Sequence, residues 1–444
     1  MLDCGQDKEQ SVCGLQGWNQ GTERGLLAMA AAQAIVGILG LIALAWAISE
    51  NRRVFPWRTA VVGLAVQFGL ALLLLKLPNS QIVFVWIGNG VSALVQATEA
   101  GTSFAFGFLG GGAPPFAETF PGASFVFAFR SLPLVVVIGA LSAILYHYRI
   151  LPWVVRGFAW VLSKTLSIGG ATSFATAANV FIGMVEAPLL VRPYLERMSR
   201  SELFIVMTGG MATIAGTVFA LYVTLLEGII PDPAGHVLTA SIISAPAAIM
   251  LALILVPRTG EEVDETKVEF ERLYENGADA LTRGTIDGLR LFAYIIGMLI
   301  VLVALVELAN IILGLVPLIA GEPLTLQRIL GWILSPVVWA LGVPWAESVT
   351  AGQLLGTKVI LNELVAYVQM SQLPPGSLSE RSAVIMAYSI CGFANFASLG
   401  IMIGGIGAIV PERRLEIANL GLKSILAGTM ATCMTGAIAG LLYW

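Results

Sequence analysis

The sequence predicts an all-α membrane protein. It has eight transmembrane helices plus two oppositely oriented re-entrant hairpins in inverted repeats, with broken helices at the midplane. Three observations carry this prediction. The 444 residues are 57% hydrophobic and only 12% charged, where a soluble globular protein carries about 25% charged residues. Apolar runs of bilayer-spanning length recur along the chain. A polar, glycine-bearing phrase is also written twice, as GGMATIAGTV at 209–218 and as CGFANFASLG at 391–400.

A bilayer-spanning helix needs about 20 predominantly apolar residues. Such runs stand at 25–48, 59–76, 125–148, 203–226, 237–256, 293–318, 383–410 and 417–443. The first run ends in LAWA, which resembles a cleavage site. It is longer than a signal-peptide core of about 7–15 residues, so it is read as a mature helix. Residues 80–98 are apolar but interrupted, and are read as a supporting segment along the outer face or tilted into it. The stretch SFAFGFLGGGAPPFA, 103–117, reads as an outer loop. Its glycines lack the strand-to-helix context that a phosphate loop needs.

Basic residues sort by connection. Arg52, Arg53 and Arg58 follow the first span, and Arg149, Arg156, Lys164, Arg192, Arg197 and Arg200 lie between the third and fourth. Arg258, Lys267, Arg272, Arg283 and Arg290 follow the fifth, and Arg413 and Arg414 precede the last. The positive-inside rule puts these connections in the cytoplasm and both termini outside it.

Two further apolar stretches do not count as spans. Residues 168–195 and 324–370 are each interrupted by Gly, Pro and a carboxylate. Each must begin and end on one side if the eight spans hold, the first entering from the cytoplasm and the second from outside. Irregular backbone at membrane depth is tolerated only where protein or a wet cavity supplies hydrogen bonds. One hairpin carries Glu186 and precedes GMATIAG; the other carries Glu363 and precedes GFANFAS. Paired broken helices in inverted repeats mark a secondary transporter with its site at the midplane.

Composition also excludes. The net charge of −4 and the lack of a basic stripe argue against a nucleic-acid partner. Cys4, Cys13, Cys391 and Cys433 have neither zinc nor redox spacing, and His147 and His236 are far apart. Cys4 and Cys13 are candidates for a disulfide if the N-terminal tail lies outside the cytoplasm. No Ser-His or Cys-His arrangement and no metal-spaced histidine supports an intramembrane enzyme, so no catalytic residue and no cofactor are assigned. Glu186 and Glu363 carry the strongest signal, because carboxylates at membrane depth are costly and mark substrate or ion paths. The bland alternative is interfacial pairing with Arg192 or Lys358. Asn179, Thr213, Asn395 and Ser398 add neutral oxygens suited to a small cation such as sodium. Glu307 lies inside the sixth span without an assigned role, and Glu347 is placed near the second hairpin's tip, facing the outer solution.

The motifs ANVFIGMVEAPLLVRPYL (178–195), GTSFAFGF (101–108), SFVFAFRSLP (124–133), GTKVILNELVAY (356–367) and CGFANFASLGI (391–401) together resemble the concentrative nucleoside transporters, in that family's order. The chain is similar to the shorter bacterial members from about residue 25 to its end. The resemblance implies a homotrimer in the bacterial inner membrane. It implies an elevator that carries nucleoside and a coupling ion, Na+ with H+ as the alternative, across the lipid. Beyond an extracytoplasmic tail (1–24) that the charge pattern places and the resemblance does not cover, it divides the chain into scaffold helices (25–148), a first transport repeat (149–256), a connector with the sixth helix (257–318) and a second transport repeat (319–444). It places substrate contacts at Gly183, Met184, Val185, Glu186, Val218, Glu363, Phe393, Asn395 and Ser398. It places the sodium ligands at the side chains of Asn179 and Thr213 and the carbonyls of Ile182 and Ile214. The family's first hairpin reads Gly-Gln-[Thr/Ser]-Glu, and here Met184 and Val185 replace the two polar positions. The resemblance therefore implies an intact ribose half and a less polar base pocket. A nucleoside sensor or passive channel on the same fold is the reading from another class.

Overall fold

The computed structural model describes residues 29–117, 125–258, 273–319 and 321–443. Cys4, Cys13 and most of the charged connector lie outside the described residues. The chain is helical, with α1 Met29–Ala47, α2 Trp57–Lys76, α3 Pro78–Phe106, α4 Phe127–Arg130 and α5 Leu134–His147. These are followed by α6 Ile150–Leu166, α7 Gly170–Asn179, α8 Glu186–Leu189, α9 Arg192–Leu195, α10 Arg200–Ala212, α11 Gly216–Leu226 and α12 Pro233–Leu255. The rest are α13 Gly277–Leu313, α14 Leu326–Ala340, α15 Ser348–Ile360, α16 Glu363–Ser371, α17 Glu380–Ile390, α18 Phe396–Ile409 and α19 Arg414–Leu442. No strand occurs among the described residues.

Eight described helical segments, two of them interrupted, are long and apolar enough to cross a membrane. All but one coincide with a predicted run; the exception is Ile82–Gly110. The stretch read as interrupted at 80–98 is part of one unbroken 29-residue helix. Its Asn and Gly residues fall on a surface that helix geometry tolerates, so they interrupt hydropathy without interrupting the backbone. Conversely, the predicted run 383–410 is two helices, α17 and α18, separated at Cys391–Asn395.

The first hairpin is α7 followed by an irregular tip and the short helices α8 and α9. The second is α15 and α16, joined at Leu361–Asn362. With 10 and 13 residues at 1.5 Å per residue, α7 and α15 reach about half and about two-thirds of the way through a core of about 30 Å. An amphipathic helix precedes each hairpin. Helix α6 buries Pro152, Val155, Ala159 and Leu162, the three-to-four spacing of a single packed face. Helix α14 plays the same part before the second hairpin, so the apolar stretch starting at 324 is a separate helix plus a hairpin. Glu347 is thereby displaced from the expected tip. It stands at the base of α15, where its Oε2 accepts from the Ser379 N–H and hydroxyl, each at 3.1 Å.

The spans following the hairpins are broken in both repeats. Helix α10 starts with a capping box between Ser199 and Glu202 and stops at Ala212; α11 resumes at Gly216. Helix α17 is capped by Ser379 and α18 by Asn395. These elements and α12 and α19 form the buried mass of the molecule, whereas the apolar window of α13 is only 6% buried. Helices α5 and α13 meet along glycines. A Cβ on Gly284 would lie 2.6 Å from Ala143 Cβ and 2.8 Å from the Gly139 carbonyl oxygen. Glu307 is on an exposed face of α13.

A surface charge cluster ties the end of α1 to the repeats. Glu50 accepts from Arg200 at 2.9 Å and from Lys423 at 2.6 Å, while its N–H donates to the Leu255 carbonyl at 2.9 Å. The Arg200 hydrogen bond, assisted by Lys423, holds the Glu50 carboxyl at about 2 against an ordinary 4.5. A depressed carboxyl contributes stability above its unfolded pKa and loses it as pH falls toward the folded one. The melting temperature of wild-type protein in detergent should therefore exceed that of Glu50→Gln at pH 7. The gap should close as pH drops from about 4.5 to about 2, and high salt should shrink it. A gap that is constant across that window would contradict this account.

Candidate functional site

The tip of each hairpin ends where a helix begins on a glutamate. Asn362 Oδ1 caps α16 by accepting from Val365 N–H at 2.8 Å, which starts that helix at Glu363. The helix dipole there favours a carboxylate. Glu363 is 5% exposed. Its Oε1 accepts from the Tyr222 hydroxyl at 2.7 Å and its Oε2 from Asn395 Nδ2 at 2.9 Å. Asn395 spends its other amide atom on its own helix, with Oδ1 accepting from Ser398 N–H at 2.7 Å. The buried asparagine in the greasy run is thus a helix cap and a carboxylate donor at once.

The first hairpin's tip is more open. Gly183 has φ +133°, a conformation that side chains rarely adopt, and a Cβ there would come within 2.7 Å of Glu186 Oε2. Glycine therefore lets the chain turn over the Glu186 carboxylate. Glu186 is exposed to the cavity it lines, and among the described residues it forms no ion pair with Arg192. The bland pairing is likewise absent at Glu363, which has no cation within 4 Å among the described residues. Met184 packs its Cβ toward Gly210, and Val185 packs against Gly405 of α18.

These groups border a cavity of about 350 Å³, within the usual range of about 300–1,000 Å³ for small-molecule sites. Gly183, Met184, Val185, Glu186, Val218, Glu363, Phe393 and Ser398 all line it; Asn395 lies behind Glu363. The opposite wall comes from α5 and α13, through Gly139, Gly284, Asp287 and Gly288, and the cavity extends to Tyr146 and Tyr274.

The four residues read as cation ligands cluster at the α10 break. The Asn179 amide lies over the C-terminal half of α10, with Nδ2 donating to the Val206 carbonyl at 3.4 Å. Its Oδ1 is buried and accepts no hydrogen bond. Thr213 Oγ1 donates to the Gly209 carbonyl at 2.9 Å, the same turn that Asn179 covers. Ile214 N–H donates to Ser241 Oγ at 3.4 Å, and Ile182 sits at the hairpin tip beside the cavity. A buried amide oxygen left without a donor suits a hard cation, whose ligands are oxygens.

The two breaks touch. Phe393 N–H donates to the Thr213 carbonyl at 3.3 Å, and Gly216 N–H donates to the Phe181 carbonyl at 3.1 Å. The first bond joins one repeat's broken helix to the other's, and the second joins the first hairpin's tip to α11. Sequence reasoning missed Tyr222, Asn362 and the α13 wall. Asn362 stands directly before Glu363 and carries a capping signal; Tyr222 sits in an apolar run and has none.

A helical membrane protein whose paired short hairpins and broken helices enclose a largely apolar cavity with two carboxylates in its wall belongs to the class of carriers. Comparison with known proteins narrows the class. The profile described as "Na+ dependent nucleoside transporter N-terminus" matches residues 36–109, its C-terminal counterpart matches 236–440, and "Nucleoside recognition" matches 128–228. The chain is 37% identical over 412 residues to "Uncharacterized transporter YutK" of Bacillus subtilis, covering 92% of this chain and 98% of that one. It is 35% identical over 413 residues to "Nucleoside permease NupC" of Helicobacter pylori, covering 92% and 96%. A solved structure of CNTnw in an inward-facing substrate-bound state superposes with a TM-score of 0.85 at 35% identity, covering 93% of this chain and 97% of that one. The chain belongs to the Na+ dependent nucleoside transporter family, that of the concentrative nucleoside transporters.

Removing the Tyr222 hydroxyl leaves Glu363 buried with one donor. A hydrogen bond to a charged group is worth about 1.5–3 kcal/mol. Tyr222→Phe should therefore lower the melting temperature of purified protein by several degrees, and Asn395→Ala should do the same through the other oxygen. Unaltered melting in both variants would show that the cluster does not hold the fold.

Proposed function

We propose that the protein imports nucleosides by cation-coupled symport, with sodium as the ion, moving its site across the membrane in elevator fashion. The observation that carries the reading is the meeting of Glu186 and Glu363, the latter backed by Asn395, at one cavity, a hydrogen bond away from the break at Thr213 that Asn179 covers. A carboxylate fixed by two donors keeps acceptor capacity for sugar hydroxyls, and Ser398 adds a hydroxyl beside it. Met184 and Val185 offer the base apolar atoms where a glutamine would offer a hydrogen-bond pair.

The Phe393–Thr213 bond supplies a physical route for coupling. A cation on Asn179, Thr213 and the carbonyls of Ile182 and Ile214 orders the first break. The first break then holds the second through that main-chain bond, which positions Phe393 and Asn395 for the nucleoside. The cavity opens toward the start of α13 and of α6, flanked by connections rich in Arg and Lys. The positive-inside rule makes that face cytoplasmic, so the cavity corresponds to an inward-facing state, with both termini outside the cytoplasm. The glycine seam of α5 and α13 supports a rigid flank against which the repeats slide. The exposed apolar face of α13 supports contact with lipid or with other copies in a homotrimer. The bacterial relatives support placement in a bacterial inner membrane.

Uptake of a nucleoside panel into proteoliposomes, with an imposed sodium gradient, an imposed proton gradient or neither, tests the reading. Accumulation driven by sodium is expected. Accumulation driven only by protons would reassign the ion, and equilibration without accumulation would turn the carrier into a channel. Glu363→Gln should cut uptake roughly ten- to a hundredfold, the worth of a charged hydrogen bond, while the protein still purifies as a folded species. Met184→Gln should narrow or shift the competition profile among bases. A profile identical to wild type would remove Met184 from the base pocket.

A further inference from the structure

Lys358 is the charged residue that this account leaves unused. It is 0% exposed, on α15, one turn before the second hairpin's tip. Its Nζ makes a single hydrogen bond, to Thr432 Oγ1 at 3.3 Å, although an ammonium has three donors. No carboxylate lies within 4 Å of it among the described residues, yet it stands within electrostatic range of Glu363. A buried ammonium with one neutral partner is costly. It contributes no ion pair that would offset that cost, so its role lies elsewhere than in a salt bridge.

The charges around the cavity supply a role. Its lining holds Glu186, Glu363 and Asp287. Asp287 pairs with Arg290 at 3.2 Å on the exposed face of α13, outside the repeats and open to screening by water. The cavity-lining or buried charged residues on the two hairpins are Glu186 and Glu363 against Lys358, a formal net charge of minus one. Net charge is what a low-dielectric core opposes and what a membrane potential acts on. One added monovalent cation brings the loaded site to neutrality, and a nucleoside leaves it there.

We propose that Lys358 is a tethered cation that sets the coupling stoichiometry, so that the site takes one cation per nucleoside with it and two without it. Lys358 touches neither ligand; it acts through the charge of Glu363 and is a positioning residue. This rests on the cation-coupled reading above and extends it to a count. The inference concerns the number of charges, and sodium or a proton can supply the second.

The test is the ratio of charge moved to uridine taken up in proteoliposomes under sodium, read from the voltage at which net uptake vanishes. Wild type should move one charge per uridine, Lys358→Met two, and Lys358→Arg one. Lys358→Met combined with Glu186→Gln should return to one. Glu186→Gln alone, with Lys358 intact, should fall to zero and so tests the count without disturbing the lysine. Where a variant takes up uridine too slowly, the slope of log binding constant against log cation concentration in purified protein reads the same number. One charge per uridine in Lys358→Met, or in Glu186→Gln, overturns the proposal. No charge in wild type overturns the cation-coupled reading itself, which separates the two failures. A purely structural lysine would lower the amount of folded protein without changing the ratio.

Discussion

Every feature of this chain answers to one constraint: a main chain that stops being helical inside lipid must find its hydrogen bonds within the protein. The two breaks, at Thr213–Ala215 and at Cys391–Asn395, expose amide groups at the depth where water is scarce. The fold satisfies them with each other and with the hairpins. Phe393 N–H finds the Thr213 carbonyl, Gly216 N–H finds the Phe181 carbonyl, and Ser398 N–H finds Asn395 Oδ1. The hairpins are therefore required by the breaks as much as the breaks by the hairpins. Removing either would strand polar backbone.

The same constraint puts the polar chemistry where it is. Helix starts gather at the breaks and tips, and a helix start is a place where anions are stabilised. Glu363 begins α16 and Asn395 caps α18, so the local rules of helix termini assemble the carboxylate–amide pair before any ligand is considered. Asn179 ends α7 against the C-terminal half of α10, and its oxygen is left buried without a hydrogen-bond donor.

Much of this was legible in the sequence, because polar residues stand out against apolar runs. Glu186, Glu363, Thr213 and Asn395 announce themselves by contrast, and their repetition announces the inverted halves. The hidden features are those in which contrast is missing or misleads. Tyr222 is one more aromatic in VFALYVTLL, and only the folded chain shows its hydroxyl on Glu363. The α3 stretch carries Asn, Gln and Glu at intervals, which lower its hydropathy while its backbone stays helical. Glu347 lies in the turn between α14 and α15 that Gly342 and Pro344 mark, and those breakers alone do not say whether a turn is a hairpin's tip or its base. Lys358 reads as a partner for Glu363 by proximity in sequence, but hairpin geometry sends its ammonium to Thr432 instead.

The bond between the breaks is main chain to main chain. Residue 393 can therefore vary widely in side chain and still donate it; proline alone among the common residues lacks the N–H. The neighbour is the opposite case. A Cβ at Gly392 would come within 2.9 Å of the Ala212 carbonyl oxygen, so substitution there wedges the halves apart. Tolerance and intolerance to mutation thus sit side by side in the chain, and a lineage can retune what the ring at 393 contacts without loosening the joint that the glycine keeps closed.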